Sequence, residues 1–228
     1  MDIAVITFPG SNCDRDIITA VESITGRLPQ LIWHKDSDIG KPDLVLVPGG
    51  FSFGDYLRCG AIAARSPAMD AVYDHALRGG MVMGICNGFQ ILIECGLLPG
   101  ALIRNSGLKF VCRNTRLKTS QTGKAIMGRL EDGEELTIPV AHNEGQFFAD
   151  EDTLSKIQDN GQIAFTYAAT HGEDDYNPNG SALDIAGITS ENGRVLGLMP
   201  HPERMMSEAV GGTDGRRMLT AIIEASQS

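Results

Sequence analysis

The sequence predicts an α/β protein with a mostly parallel, doubly wound sheet flanked by helices. Short β-branched runs alternate with helical stretches through the first half of the chain, the order that lays parallel strands side by side with helices on both faces. Two of the runs, Leu44-Val45-Leu46-Val47 and Met81-Val82-Met83, are apolar at every position, as strands covered on both faces are. The 27 glycines suit the many tight strand-to-helix turns of such a fold.

Ile3-Ala4-Val5-Ile6-Thr7-Phe8 reads as the first strand, closed by the turn Pro9-Gly10-Ser11-Asn12. From Asp14 to about Ile24 the apolar residues Ile17, Ile18, Val21 and Ile24 recur at helical spacing, and Gly26 stops the helix. Strands follow at 30–34 and 43–47, the second running into Pro48-Gly49-Gly50. Helical material is expected from Tyr56 to Arg78, interrupted near Pro67, and then the strand Met81 to Met83. Beyond Gly96 the chain turns strand-rich, at 111–118, 136–141, 163–168, 185–189 and 195–199, and extra antiparallel strands are expected there. One helix stands out in this half, from Thr213 to about Ala225, with Thr213 or Asp214 as cap and Met218, Leu219, Ile222 and Ile223 as its apolar face. No linker-like stretch or internal repeat divides the chain, so 1–228 reads as one domain.

A net charge of −10 and a pI near 4.9, with no basic patch, argue against nucleic-acid and anionic-membrane partners. The acidic runs Glu131-Asp132, Asp150-Glu151-Asp152 and Glu173-Asp174-Asp175 read as solvated loops. The N-terminus has no signal-peptide character, and no stretch approaches the ~20 apolar residues of a membrane span, so a cytoplasmic location is expected. Five cysteines without Cys-x-x-Cys or Cys/His spacing predict neither a disulfide framework nor a metal site.

The strongest local signal is Gly84-Ile85-Cys86-Asn87-Gly88, which follows a strand and precedes the helical run Phe89 to Glu94. This is the shape of a nucleophile elbow, whose glycines leave room for a side chain thrust above the sheet. The following helix points its N-terminus at Cys86 and favours the thiolate that attacks. Cys13, Cys59, Cys95 and Cys112 lack that setting and read as packing residues, although the polar surroundings of Cys13 and Cys59 leave an interface role open.

A cysteine enzyme needs a histidine to manage protons and a third group to orient it. His201, in Met199-Pro200-His201-Pro202-Glu203-Arg204, leaves a strand at the sheet end where ligands bind. Glu203 stands where it can fix the imidazole, which makes Cys86, His201 and Glu203 a candidate triad. The backbone N–H groups of Gly50 and Asn87 are candidates for an oxyanion site. His142 also leaves a strand beside a carboxylate, Glu144, and reads as contacting substrate or partner or as structural. His34 and His75 have nothing chemical beside them, and His171 begins an acidic loop.

These motifs resemble the class I, triad-type glutamine amidotransferases, whose elbow pattern Gly-x-Cys-x-Gly-x-Gln is matched by Gly84, Cys86, Gly88 and Gln90. The longer motifs Phe8 to Asp14, Pro48 to Gly60 and Asn177 to Ser181 are similar to the branch that serves amidation of formylglycinamide ribonucleotide in purine synthesis. Asn143, Phe53 and Thr166 depart from that branch's usual residues, outside the triad. The resemblance covers essentially the whole chain. It implies a flavodoxin-like fold, a glutaminase activity with Cys86 as nucleophile, His201 as acid and base, Glu203 as its partner, and Gly50 with Asn87 as oxyanion donors. Gln90 and Gly49 would hold the glutamine. It also implies a large synthetase subunit that carries ATP and magnesium, a small accessory subunit, and no cofactor on this chain. The alternative readings are another cysteine hydrolase of the same fold, or a non-catalytic stabilising subunit.

Overall fold

The computed structural model describes residues 1–120, 124–169 and 176–227. Strand β1 (Ile3–Thr7) leads into helix α1 (Asp14–Thr25), which turns Ile17, Ala20 and Val21 inward. Gly26 closes that helix with φ 71°, and its N–H returns to Glu22 O at 2.8 Å, a left-handed cap that glycine adopts without a Cβ clash. Strands β2 (Gln30–Trp33) and β3 (Leu44–Val47) follow, then α2 (Pro67–Leu77), β4 (Met81–Ile85) and α3 (Asn87–Glu94). The second half contributes β5 (Ala101–Ile103), β6 (Val111–Thr119), β7 (Glu135–His142), β8 (Gln146–Phe148) and α4 (Glu151–Asp159). Strands β9 (Ile163–Tyr167), β10 (Ile185–Thr189) and β11 (Val195–Leu198) precede the last helix, α5 (Asp214–Ala225).

Nine strands form one sheet in the order β2-β1-β3-β4-β11-β10-β9-β6-β7, and β5 pairs with β8 separately. From β2 to β11 every pairing is parallel, and from β11 to β7 every pairing is antiparallel. The α/β class with a mostly parallel centre and antiparallel additions is therefore the architecture observed. The pairing of β4 with β11 joins segments far apart in sequence and sets Leu198 opposite Ile85. Both strands are fully buried, and the loop after each leaves the sheet at the same end.

Strand β7 lies at the sheet margin, where Pro139 lacks an N–H that a central strand would need. Its outer backbone is still partnered, because Pro139 O accepts from His201 N–H at 2.8 Å and Thr137 N–H donates to Asp214 Oδ2 at 2.7 Å. The start of α5 and the loop after β11 thus cover this edge.

Three expectations are corrected. Residues 56–62 are not helical; helical structure begins with a 3-10 turn at Ala63–Arg65, breaks at the extended Ser66 next to Pro67 as expected, and resumes in α2, whose first turn Pro67 occupies because its missing N–H has no partner to lose there. The run Asp150-Glu151-Asp152 is not a loop but the start of α4, with Asp150 Oδ1 accepting from Thr153 N–H at 2.8 Å and two acids in the first turn facing the helix dipole. Cys112 lies on β6 as expected, but its side chain faces solvent instead of packing. Glu131-Asp132 is an exposed turn, while His171 and the run 173–175 lie outside the described residues. Among the described residues no helix is long and apolar enough to cross a membrane.

Gly197 on β11 lies under Phe89 of α3, and a Cβ there would stand 2.1 Å from Cδ2 of that ring. Phe89 is fully buried and stacks on Phe147 at 6.3 Å, so it has nowhere to retreat. Gly197→Ala should cost about 1–3 kcal/mol of stability, seen as a lower urea midpoint. An unchanged midpoint would contradict this packing.

Candidate active site

Cys86 sits between β4 and α3 with φ 51° and ψ −106°, a conformation that L residues rarely adopt. Such strain costs about 1–3 kcal/mol and persists where the surroundings over-determine it. Here they do. A Cβ on Gly88 would meet Val47 O at 1.9 Å, and one on Gly84 would meet Gly88 O at 2.7 Å. The Cys86 N–H is tied to Leu198 O at 2.8 Å. The two glycines let α3 press against β3 and β4, and the cysteine is raised above the sheet at the N-terminus of α3.

His201 arrives from β11 and is held by its N–H bond to Pro139 O. Its Nδ1 bonds Glu203 Oε1 at 2.6 Å, with both side chains almost wholly buried. Pro202–Arg204 form a single turn of 3-10 helix, and Gly215 of α5 fits so closely beneath it that a Cβ would come within 1.9 Å of Pro202 O. The sheet and α5 therefore fix the loop from opposite sides. The other ring nitrogen, Nε2, has no oxygen or nitrogen partner among the described residues.

The protonation of His201 follows from its neighbours. Burial pushes the imidazole toward neutrality, but the Glu203 carboxylate and then the Cys86 sulfur outweigh it and raise the pKa to about 10. A cationic imidazole beside the Cys86 sulfur is placed to give a proton to a leaving group. The same three residues were expected from sequence, and the structure brings them together.

Gly49 accounts for part of that closeness. A Cβ at this position would lie 2.8 Å from His201 Cε1 and 3.4 Å from both Cys86 Cβ and Cys13 Sγ. Gly50 follows with φ 128°, and a Cβ on it would strike the Asn12 backbone N at 2.7 Å. The amides of Gly50 and Asn87 donate to no acceptor among the described residues, which is what an oxyanion site requires. Gln90 lines the same cavity but uses both ends of its amide internally. Its Oε1 accepts from Asn87 Nδ2 at 2.9 Å, and its Nε2 donates to Glu144 O at 2.6 Å.

The site opens into a cavity of about 350 Å³, large enough for an amino-acid side chain and backbone. Several of its walls carry no local signal in the sequence. Cys13 is buried there, receives Arg204 Nη2 at 2.9 Å and is pushed up to about 12 by burial despite the Arg204 charge. Cys59 donates to Glu144 Oε2 at 3.2 Å, and burial followed by that bond raises its pKa well above the usual thiol range. Asp55 also faces the cavity. His142 belongs to this wall too, its Nδ1 held 3.1 Å from Asn105 Oδ1. By contrast, His34 is packed among Phe8, Trp33 and Phe53, and His75 is buried in α2.

Cys13, His201 and Glu203 also place ligand-type atoms within 4.8 Å of one another. The donors suit a metal poorly, because His201 and Glu203 are bonded to each other and the Arg204 guanidinium sits against Cys13.

Residues 1–213 match the family described as the CobB/CobQ-like glutamine amidotransferase domain. The chain is 51% identical over 224 residues to phosphoribosylformylglycinamidine synthase subunit PurQ of Nostoc sp., covering 98% of this chain and 97% of that one. The PurQ subunit of Gloeobacter violaceus is 49% identical over 228 residues, with 99% and 98% covered. Among solved structures, the structure of PurLQS from Thermotoga maritima is similar with a TM-score of 0.86 and 40% identity over 98% of this chain and 97% of that chain. A glutamine amidotransferase from Thermotoga maritima shares the fold, with a TM-score of 0.64 at 14% identity over 100% and 99% of the two chains.

Because the folded imidazole is raised above its ordinary 6.5, the stability it contributes is fully present below about pH 6.5 and is lost as pH rises toward 10. Glu203→Gln should flatten that decline, measured as urea midpoints across the window. Parallel profiles for the two proteins would refute the assigned charge pairing. Gly49→Ala should displace the imidazole and slow alkylation of Cys86 by iodoacetamide about tenfold or more, roughly the loss of one well-placed charge-assisted contact; an unaltered rate would show that His201 has room to spare.

Proposed function

The chain belongs to the CobB/CobQ-like glutamine amidotransferase domain family, and from that premise we propose that the Cys86 cavity is where it removes ammonia from glutamine. It is the glutaminase subunit of phosphoribosylformylglycinamidine synthase, a glutamine-dependent ligase complex of purine biosynthesis. The observation that carries the residue assignment is the buried alignment of Cys86, His201 and Glu203 over a cavity fit for an amino acid.

In the proposed mechanism the Cys86 thiolate attacks the side-chain amide carbon of glutamine, and the carbonyl electrons move onto oxygen. The N–H groups of Gly50 and Asn87 stabilise that charge, each such donor being worth roughly 100 to 1000-fold in rate. Collapse of the intermediate breaks the carbon–nitrogen bond as His201 Nε2 gives its proton to the leaving nitrogen, producing ammonia and a γ-glutamyl thioester. Acylation removes the sulfur's negative charge, one of the causes that hold the imidazole protonated. Neutral His201 then takes a proton from water, which attacks the thioester and releases glutamate. Glu203 acts throughout by holding Nδ1, so that Nε2 does the proton transfers. Gly49 and Gln90 shape the glutamine site, Gly49 by leaving space and Gln90 by bracing the wall at residue 144.

A synthetase subunit is the partner that receives the ammonia. ATP and magnesium belong on that partner in this reading, and a small accessory subunit completes the assembly. The chain itself needs no cofactor and works in the cytoplasm. Ammonia is lost to protonation in water, so transfer through a closed interface is expected.

Cys86→Ala should abolish glutamine-dependent synthesis by the assembled complex while leaving synthesis from added ammonium within about threefold of wild type. Product formation with each nitrogen source is the measurement. Loss of both would point to a stabilising subunit, and retention of the glutamine-dependent reaction would remove Cys86 from the chemistry.

A further inference from the structure

We propose that Asp55, Glu144 and His142 form the subsite that holds the α-ammonium group of glutamine, an inference that rests on the glutaminase reading of the cavity. Asp55, Glu144 and His142, three residues with acceptor atoms, all line the cavity. Asp55 and Glu144 both lie against Cys59, whose thiol donates to Glu144 Oε2. Asp55 pairs with no cation among the described residues, and burial holds its carboxyl above the ordinary value, as expected for an anion short of a partner. The one cation that Glu144 reaches among the described residues is Arg104, at 3.6 Å, whose own side chain is 70% exposed.

His142 supplies a third and independent sign. Its Asn105 partner uses Nδ2 to donate to Lys109 O and His142 O, which leaves Asn105 Oδ1 as the acceptor facing His142 Nδ1. The proton therefore sits on Nδ1, and Nε2 presents a lone pair. That atom is buried without a partner among the described residues, on a residue only 4% exposed that lines the same cavity. Burial, followed by the charge of His201, keeps this ring neutral by lowering its pKa to about 4. Two carboxylates and one imidazole lone pair match the three donors of an ammonium group, which has no acceptor of its own.

The reach is also right. Asn87, next to the nucleophile, places Nδ2 at 3.5 Å from Asp55 Oδ1. From its amide carbon to its amino nitrogen glutamine spans four bonds, roughly 5 Å, so an amide at Cys86 brings the ammonium toward this wall. Selection for an α-amino amide over a plain carboxamide follows, since a ligand without the ammonium leaves the acceptors unpaired.

The test is calorimetric binding of glutamine and of its deaminated analogue 4-carbamoylbutanoate to the Cys86→Ala chain assembled with its synthetase partner. Glutamine should bind at least ~10-fold more tightly than the analogue. Adding Asp55→Asn, or separately Glu144→Gln from a different loop, should weaken glutamine about tenfold and leave the analogue nearly unchanged. Equal binding of the two ligands, or the same preference in both double variants as in Cys86→Ala, would overturn the subsite while the glutaminase reading stands. Binding of neither ligand would overturn both.

Discussion

The pairing of β11 with β4 is the constraint on which the site depends. These strands, Val195–Leu198 and Met81–Ile85, are far apart in the chain, yet Leu198 stands opposite Ile85 and Leu198 O accepts from the Cys86 N–H. A one-residue slip in that register would turn each inward side chain of β11 to the other face and carry His201 away from the thiol. Gly197 allows the pairing to be covered tightly, because Phe89 of α3 lies directly over it. The nucleophile and its base are thus placed by the buried hydrogen-bond ladder of the sheet and not by loop contacts alone.

A second strand completes the frame. β7 closes the antiparallel side of the sheet, and its last turn toward the cavity brings Ala141 O to 4.0 Å from Cys86 Sγ while Pro139 O holds the His201 N–H. One edge strand therefore touches both halves of the reacting pair. The His201 loop and Asp214 of α5 occupy two of the outward groups of that edge, at Pro139 and Thr137, and so blunt it against pairing. Covering the edge and orienting the base are two consequences of the same bonds.

Charge is distributed unevenly through the cavity, and this divides its work. At the reacting end a protonated imidazole and a helix N-terminus flank the Cys86 sulfur, and the Arg204 guanidinium is held against the neighbouring Cys13. Elsewhere on the cavity wall Asp55, Glu144 and the neutral His142 offer acceptors. A low-dielectric wall sharpens both fields, so a small zwitterionic amide finds its orientation from the protein before any bond is broken. Close backbone approaches at Gly49, Gly50, Gly84 and Gly88 make room for this arrangement, and the strain at Cys86 is held by them.

Much of this was legible in sequence because its physical signals are local. Apolar runs marked the buried strands, Gly26 marked the end of α1, and Gly84, Cys86 and Gly88 marked an elbow whose glycine spacing is a steric requirement of a few adjacent residues. His201 and Glu203 lie two positions apart, so their pairing was also visible. Other features were decided only by tertiary structure. The helical reading of 56–62 failed because Leu57 and Gly60 take positive φ, Gly60 where the backbone of Ile91 packs against it, which composition does not reveal, and α4 was hidden because capping acids resemble a solvated acidic loop until Thr153 supplies the N–H. Cys13, Asp55, Cys59, Glu144 and the Nε2 of His142 meet around one cavity from segments widely separated in the chain. Sequence determined which side chains could do chemistry; the sheet order determined which of them share a site, since residues distant in the chain acquire a common environment only when their strands and loops are packed together.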